Sequence, residues 1–368
     1  MFTQTLTRTL GRRVLGSGLA DLLTGPHGVD RYTELVAPTW ALDQPRAKVV
    51  DARRTTPRSV TLTLAPNAAF TDRHTIRAGQ YVNLAVDIDG RRHTRCYSPA
   101  NPEGAANLEL TIGCQETGVV SNYLYERARR GMVVGLTGAG GSFVLPKQRP
   151  RRILFVSGGS GITPVMAMLR TLAAEGHLQN PGVEVAFVHY ARGAAEACYR
   201  DELAVLSELA GVRVLHGYTR SGAGDLTGRF GADHLAAAMP RGNRPDAVFV
   251  CGPASLIDSV RQNCGDAVLA ESFVPPSIGT TSRPSGGRIA FLDSGVEVVD
   301  DGASLLEQAE AAGLAPQSGC RMGICHTCTR RKTSGVVRNQ ITGAVSTVPD
   351  EDVQLCVSVP VGDVEIVL

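Results

Sequence analysis

No stretch of the 368 residues reaches the roughly 20 consecutive apolar residues that span a bilayer, so no membrane-crossing helix is expected. Cysteine is present nine times, an odd count, and no continuous apolar leader core opens the sequence. A disulfide framework built in an oxidising compartment is therefore not expected, and the cysteines read as reduced and cytoplasmic. The net charge is only +2 and no basic stripe stands out, which excludes the usual signature of a nucleic-acid partner. There is one tryptophan, Trp40, outside any motif, and there is no internal repeat.

What is present describes a chain of several domains. Hydrophobic residues make up 43% and charged residues 20%, an ordinary globular balance, and the length suits two or three cores. Residues 1–46 stand apart: Phe2, Leu6, Leu10 and Val14 recur at every fourth position with Arg8, Arg12 and Arg13 between them. That pattern predicts a basic amphipathic helix, packed on its own protein or lying at the periphery of an anionic membrane. Residues 47–149 carry short β-branched runs such as "SVTLTL" and "QYVNLAVDI" and predict an antiparallel β-barrel. Residues 150–274 alternate strands with helices, from "RRILFVSGGSGITP" through "VEVAFVHY", "VRVLHGYT", "AVFVCG" and "AVLAESF", and predict a doubly wound α/β parallel sheet. Residues 275–284 have linker composition, and 285–368 form a third unit. From Ser285 onward six Lys/Arg face eleven Asp/Glu, so an acidic tail module follows a basic body.

Three cysteines fall inside nine positions of that third unit. Cys320, Cys325 and Cys328 have the spacing C-x4-C-x2-C, with Cys356 later, the plant-type [2Fe–2S] pattern. Four thiolates would also suit zinc, but zinc sites usually pair two short C-x2–4-C units. His326 lies inside the loop; since four cysteines complete the ligand set, it is expected to face solvent. Through "CRMGICHTC" and "VQLCVSVPVGDVEIVL" this unit resembles plant-type ferredoxins, which implies an α+β β-grasp fold and a one-electron carrier.

Four further strings, "RCYSP", "GVVSNYL", "GGSGITP" and "CGP", follow one another at domain-sized spacing. Together they resemble the ferredoxin–NADP reductase superfamily, in the form with a ferredoxin domain fused at the C-terminus. The resemblance implies that Arg95 pairs with flavin phosphate, Tyr97 stacks on the isoalloxazine and Ser98 hydrogen-bonds near flavin N5. It places the pyrophosphate at a helix opened by Gly118, Val119, Val120 and Ser121, where free N–H groups and the helix dipole suit an anion. Gly158, Gly159, Gly161, Thr163 and Pro164 would admit nicotinamide dinucleotide phosphates to the backbone. Cys251, Gly252 and Pro253 would flank the nicotinamide, and Phe273 would lie over the flavin. His189, His216 and Arg330–Lys332 have no motif context and read as packing or surface.

FAD is expected over FMN, since "GVVSNYL" is more similar to FAD-binding members. NADPH is expected over NADH, because Arg192 and the Thr219–Arg220 pair stand at strand ends with no acid before Glu196 and Asp225. The implied activity is a reductase passing electrons from NADPH through FAD and a [2Fe–2S] cluster to an acceptor protein. A membrane fatty-acyl desaturase is the expected acceptor; a soluble Rieske-type oxygenase or P450 is the alternative, and a redox sensor is the non-enzymatic one.

Overall fold

A computed structural model describes residues 38–41, 43–116, 118–222, 224–240, 242, 244–265, 268–273, 284–319, 321–323 and 326–368. The amphipathic pattern at Phe2–Val14 and nearly all of the linker lie outside them, as do Cys320 and Cys325.

The first unit is a barrel-like antiparallel sheet of six strands in the order β4-β3-β6-β1-β2-β5. These are β1 (Arg46–Thr56), β2 (Ser59–Pro66), β3 (Tyr81–Ile88), β4 (Arg91–Tyr97), β5 (Leu108–Gly113) and β6 (Val133–Gly140). Alternation builds the core: Val60, Leu62 and Leu64 of β2 meet Leu108, Leu110 and Ile112 of β5 inside. Thr61 and Thr111 on the opposite face are buried as well, which tells that this outer face is covered by another part of the chain.

That covering part is the second unit, a five-stranded parallel sheet in the order β11-β10-β7-β8-β9. Its strands are β7 (Arg152–Gly158), β8 (Glu184–Ala191), β9 (Val212–Tyr218), β10 (Ala247–Cys251) and β11 (Val268–Glu271). Near-continuous apolar runs such as "ILFV" and "VAFV" suit strands buried on both faces. The chain lays β7, β8 and β9 outward in one direction, then returns to place β10 on the other side of β7. The carboxyl ends of β7 and β10 therefore border a topological switch point, where open α/β sheets form their ligand crevice.

The third unit is a six-stranded mixed sheet with a short helix, Leu305–Ala311. β12 (Arg288–Phe291) lies between β13 (Val296–Val299) and β17 (Ser358–Ile366), and the long β14 (Thr329–Asn339) joins β17 to β15 (Val345–Ser346) and β16 (Glu351–Gln354). A capping box between Ser304 and Glu307 starts the helix, which packs Leu305, Leu306 and Ala309 on the sheet. No helix among the described residues is long and apolar enough to cross a membrane.

Candidate functional site

Three groups of residues converge on the junctions between units. At the end of β4, Tyr97 packs against the barrel core, and burial pushes its phenol pKa well up. Ser98 follows, 2% exposed, with a hydroxyl that has no partner among the described residues. A buried hydroxyl of this kind costs free energy until something bonds it. The helix Val119–Arg127 begins at Gly118 in an extended conformation with no side-chain cap, which leaves its first N–H groups open. Val120 and Ser121 turn inward and Val119 stays exposed. An orphaned hydroxyl near a helix start rich in free donors fits a flavin with its pyrophosphate. Arg95 Nη1 donates to the Thr94 carbonyl at 2.8 Å and reaches the Gly319 carbonyl of the third unit at 3.4 Å.

The second group sits at the switch point. β7 ends at Gly158, the turn Gly159–Gly161 follows, and the helix Ile162–Ala174 carries Thr163 and Pro164, both buried, in its first turn. Thr163 Oγ1 donates to the Ser160 carbonyl at 3.3 Å and steadies the turn. This turn packs backbone against backbone on Cys251–Gly252–Pro253: a Cβ on Gly161 would stand 2.3 Å from the Cys251 carbonyl oxygen, and one on Gly158 3.0 Å from Pro253 Cδ. Beside it opens a cleft of about 410 Å³ lined by both glycine segments, Arg192, Thr219, Arg229 and Phe273, with Gln115 of the barrel on its wall. The size suits a small-molecule ligand. No carboxylate is among the described residues that line it.

The arginines differ from expectation. Arg192 lines the cleft, with Glu196 3.9 Å away, but Arg220 is exposed and not part of the lining. β9 ends at Tyr218, and the Arg220 N–H bonds the Arg192 carbonyl. Arg229 was not singled out from sequence; it lies in a loop without periodicity, and no local pattern marks it.

Glu271 was also missed. It ends β11 in register with Cys251, is buried, and has one carboxylate oxygen without a partner among the described residues. Burial pushes its pKa up to about 8, and burial, with Glu271 beside it, raises the Cys251 thiol well above its ordinary value. Both groups are therefore neutral at pH 7. The available signal was an acid inside an otherwise apolar strand, "AVLAESF".

The third group is in the last unit. Cys328 precedes β14 and Cys356 follows β16, so pairing of Thr329 with Gln354 brings the two cysteines side by side although 27 residues separate them. The Leu355 N–H bonds the Cys328 carbonyl, and both cysteines are buried. Ahead of Cys328, Arg321 and His326 stand at φ of 59° and 56°, and Gln354 Nε2 donates to the Gly323 carbonyl at 2.8 Å. His326 is exposed. Two buried cysteines brought to neighbouring backbone positions by this register fit a thiolate-ligated cluster.

Comparison with known proteins agrees with this geometry. Residues 61–145 match the description "Oxidoreductase FAD-binding domain", residues 155–262 "Oxidoreductase NAD-binding domain" and residues 290–361 "2Fe-2S iron-sulfur cluster binding domain". The chain is 34% identical over 356 residues to an "NADPH oxidoreductase" of Mycobacterium tuberculosis, covering 94% of this chain and 90% of that one. It is 30% identical over 324 residues to the "Glycine betaine monooxygenase reductase subunit" of Pseudomonas aeruginosa, covering 79% and 86%. The fold is that of phthalate dioxygenase reductase, at 22% identity and a TM-score of 0.58 over 88% of this chain and 97% of that one. The three matched domains make this chain an FAD- and NAD-binding [2Fe–2S] oxidoreductase. The chain belongs to the ferredoxin–NADP reductase superfamily, in its form with a fused [2Fe–2S] domain.

Two outcomes are expected from these sites. The folded protein holds the Glu271 proton more tightly than the unfolded chain, so its contribution to stability is complete below the ordinary value of 4.5 and is lost as pH rises through about 8. Glu271→Gln should therefore flatten the dependence of Tm on pH and gain on the wild type in alkaline buffer; parallel profiles would exclude the assignment. Cys356→Ser should abolish the paramagnetic signal of the reduced cluster while sparing ferricyanide reduction by NADPH. A retained signal would mean that another residue supplies the fourth ligand.

Proposed function

We propose that the chain takes electrons from NADPH and delivers them singly to an oxygen-activating acceptor, a membrane fatty-acyl desaturase. When bound, the flavin accepts a hydride and the cluster passes single electrons, redox chemistry that side chains alone do not supply. The protein's part is to bind and orient. Gly118–Ser121 hold the pyrophosphate at the helix start, Arg95 pairs with a flavin phosphate, and Tyr97 supports the isoalloxazine ring. Ser98 gives the flavin edge a hydrogen bond in a site closed to water. Gly158–Gly161 would receive the dinucleotide phosphates, Cys251–Gly252–Pro253 would flank the nicotinamide, and Phe273, on the wall of the same cleft, would lie over the flavin. Cys320, Cys325, Cys328 and Cys356 carry the outlet.

The observation that carries the NADPH preference is the cleft itself, with Arg192 and Arg229 on its wall and no carboxylate among its described lining residues. A carboxylate there would bond the ribose hydroxyl of NADH; guanidinium groups instead meet a 2′-phosphate. Arg220, outside the lining, takes part only if the nucleotide extends past the strand end. A charge-assisted contact is worth about 1.5–3 kcal/mol, so Arg229→Ala should lower kcat/KM for NADPH by roughly 10- to 150-fold and leave NADH nearly untouched. Equal losses with both cofactors would remove Arg229 from this role.

The acceptor reading rests on the first 46 residues. The match to the Mycobacterium tuberculosis protein covers 94% of this chain, and residues 47–368 alone are under nine-tenths of it, so the similarity extends into residues 1–46. The match to the glycine betaine monooxygenase reductase covers 79% and does not require that segment. A soluble oxygenase is the second reading, favoured by that relative's name. Deleting residues 1–40 should weaken electron delivery to a membrane-bound desaturase and binding to anionic vesicles, while ferricyanide reduction is spared. Undiminished delivery after deletion would favour the soluble acceptor.

A further inference from the structure

The second unit meets the barrel through a network that includes none of the cofactor-facing residues. Arg170, on the helix Ile162–Ala174, forks onto Glu202 of its own unit at 2.7 and 2.6 Å. Its remaining nitrogen crosses to the barrel, donating to Glu109 Oε1 at 2.8 Å and to the Ala100 carbonyl at 2.9 Å. Thr171 beside it accepts the Glu103 N–H at 3.1 Å. The guanidinium lies 5.0 Å from the ring centroid of Tyr199, which is itself buried.

Tyr199 is held at φ 59°, a left-handed conformation that costs a non-glycine residue free energy. Its hydroxyl reaches Thr111 Oγ1 at 2.5 Å and continues a chain of hydroxyls through Thr61 at 2.7 Å to Thr55. Thr61 and Thr111 are the buried threonines on the outer face of the barrel. A strained residue that spends its side chain on the neighbouring unit is doing something for the junction rather than for its own helix.

One helix therefore serves both cofactors. Its first turn continues from Gly158–Gly161, while Arg170 and Thr171, about 12 Å further along at 1.5 Å per residue, hold Ala100–Glu103, the segment directly after Ser98. We propose that Arg170 and Tyr199 are positioning residues for hydride transfer: Arg170 clamps Ala100 and Glu109 to the helix that opens at the dinucleotide turn, Tyr199 braces Arg170 and ties β5 to the same unit, and together they set the separation of the reacting edges. This rests on the cofactor placement given above. Hydride transfer needs reacting atoms about 3–3.5 Å apart, and a misplacement of about 1 Å costs on the order of 100-fold. Arginine is required because only a planar fork can hold Glu202 and still reach the barrel.

Tyr199→Phe keeps the ring and its packing under Arg170 but cuts the link to Thr111; Arg170→Lys keeps the charge but loses the fork. In the FAD-loaded full chain, three quantities are measured: NADP⁺ affinity from the shift it causes in the flavin spectrum, the single-turnover rate of flavin reduction at saturating NADPH, and amide hydrogen exchange across residues 99–109. Both variants should bind NADP⁺ within about twofold of wild type, reduce flavin roughly 10- to 100-fold more slowly, and exchange faster in 99–109, Arg170→Lys the more so. Wild-type rates in Tyr199→Phe and Arg170→Lys, with faster exchange, would overturn the positioning role. A wild-type flavin spectrum that does not respond to NADP⁺ would instead overturn the cofactor placement beneath it.

Discussion

A hydride moves only between atoms in near contact, whereas single electrons cross longer gaps, and the architecture divides along that line. The barrel and the parallel sheet share a buried junction of ion pairs, hydroxyl bonds and backbone contacts. The third unit touches β4 of the barrel through Arg95 and the Gly319 carbonyl, and is joined to the rest by a segment rich in Pro, Ser, Thr and Gly. The step that tolerates no slack is built on rigid elements.

The same constraint explains why the dinucleotide crevice is made of backbone. At the switch point between β7 and β10, the glycine turn and Cys251–Gly252 approach so closely that a methyl group on Gly161 would meet a carbonyl oxygen. Cys251 and Glu271, paired in register, are buried and outside the lining of the cleft, and Arg192 and Arg229 stand on its wall.

Much of this was legible in the sequence because the signals are local. Alternation in "SVTLTL", the apolar run of "ILFV" and the left-handed Gly159 of "GGSGITP" each report a requirement of the local backbone. The spacing of Cys320, Cys325 and Cys328 is equally local, although two of the three fall outside the described residues. What was not legible depends on long-range placement. Arg229 matters through the cleft it lines, Glu271 through its register with Cys251, and Arg170 with Tyr199 through contacts made 60 to 90 residues away. Arg220 was chosen for its place just past a strand, but side-chain direction beyond a strand end is set by the following loop, and the residue came out exposed.

The central claim is that electrons enter at the junction of the first two units and leave through the third. Rapid mixing of the fully loaded protein with NADPH under anaerobic conditions, followed by visible absorbance and by paramagnetic resonance of samples frozen at intervals, tests it most directly. The account predicts that flavin absorbance falls first and that the reduced-cluster signal grows afterwards, at the flavin's expense. A cluster signal that appears before the flavin bleaches, or in protein stripped of its flavin, would contradict it.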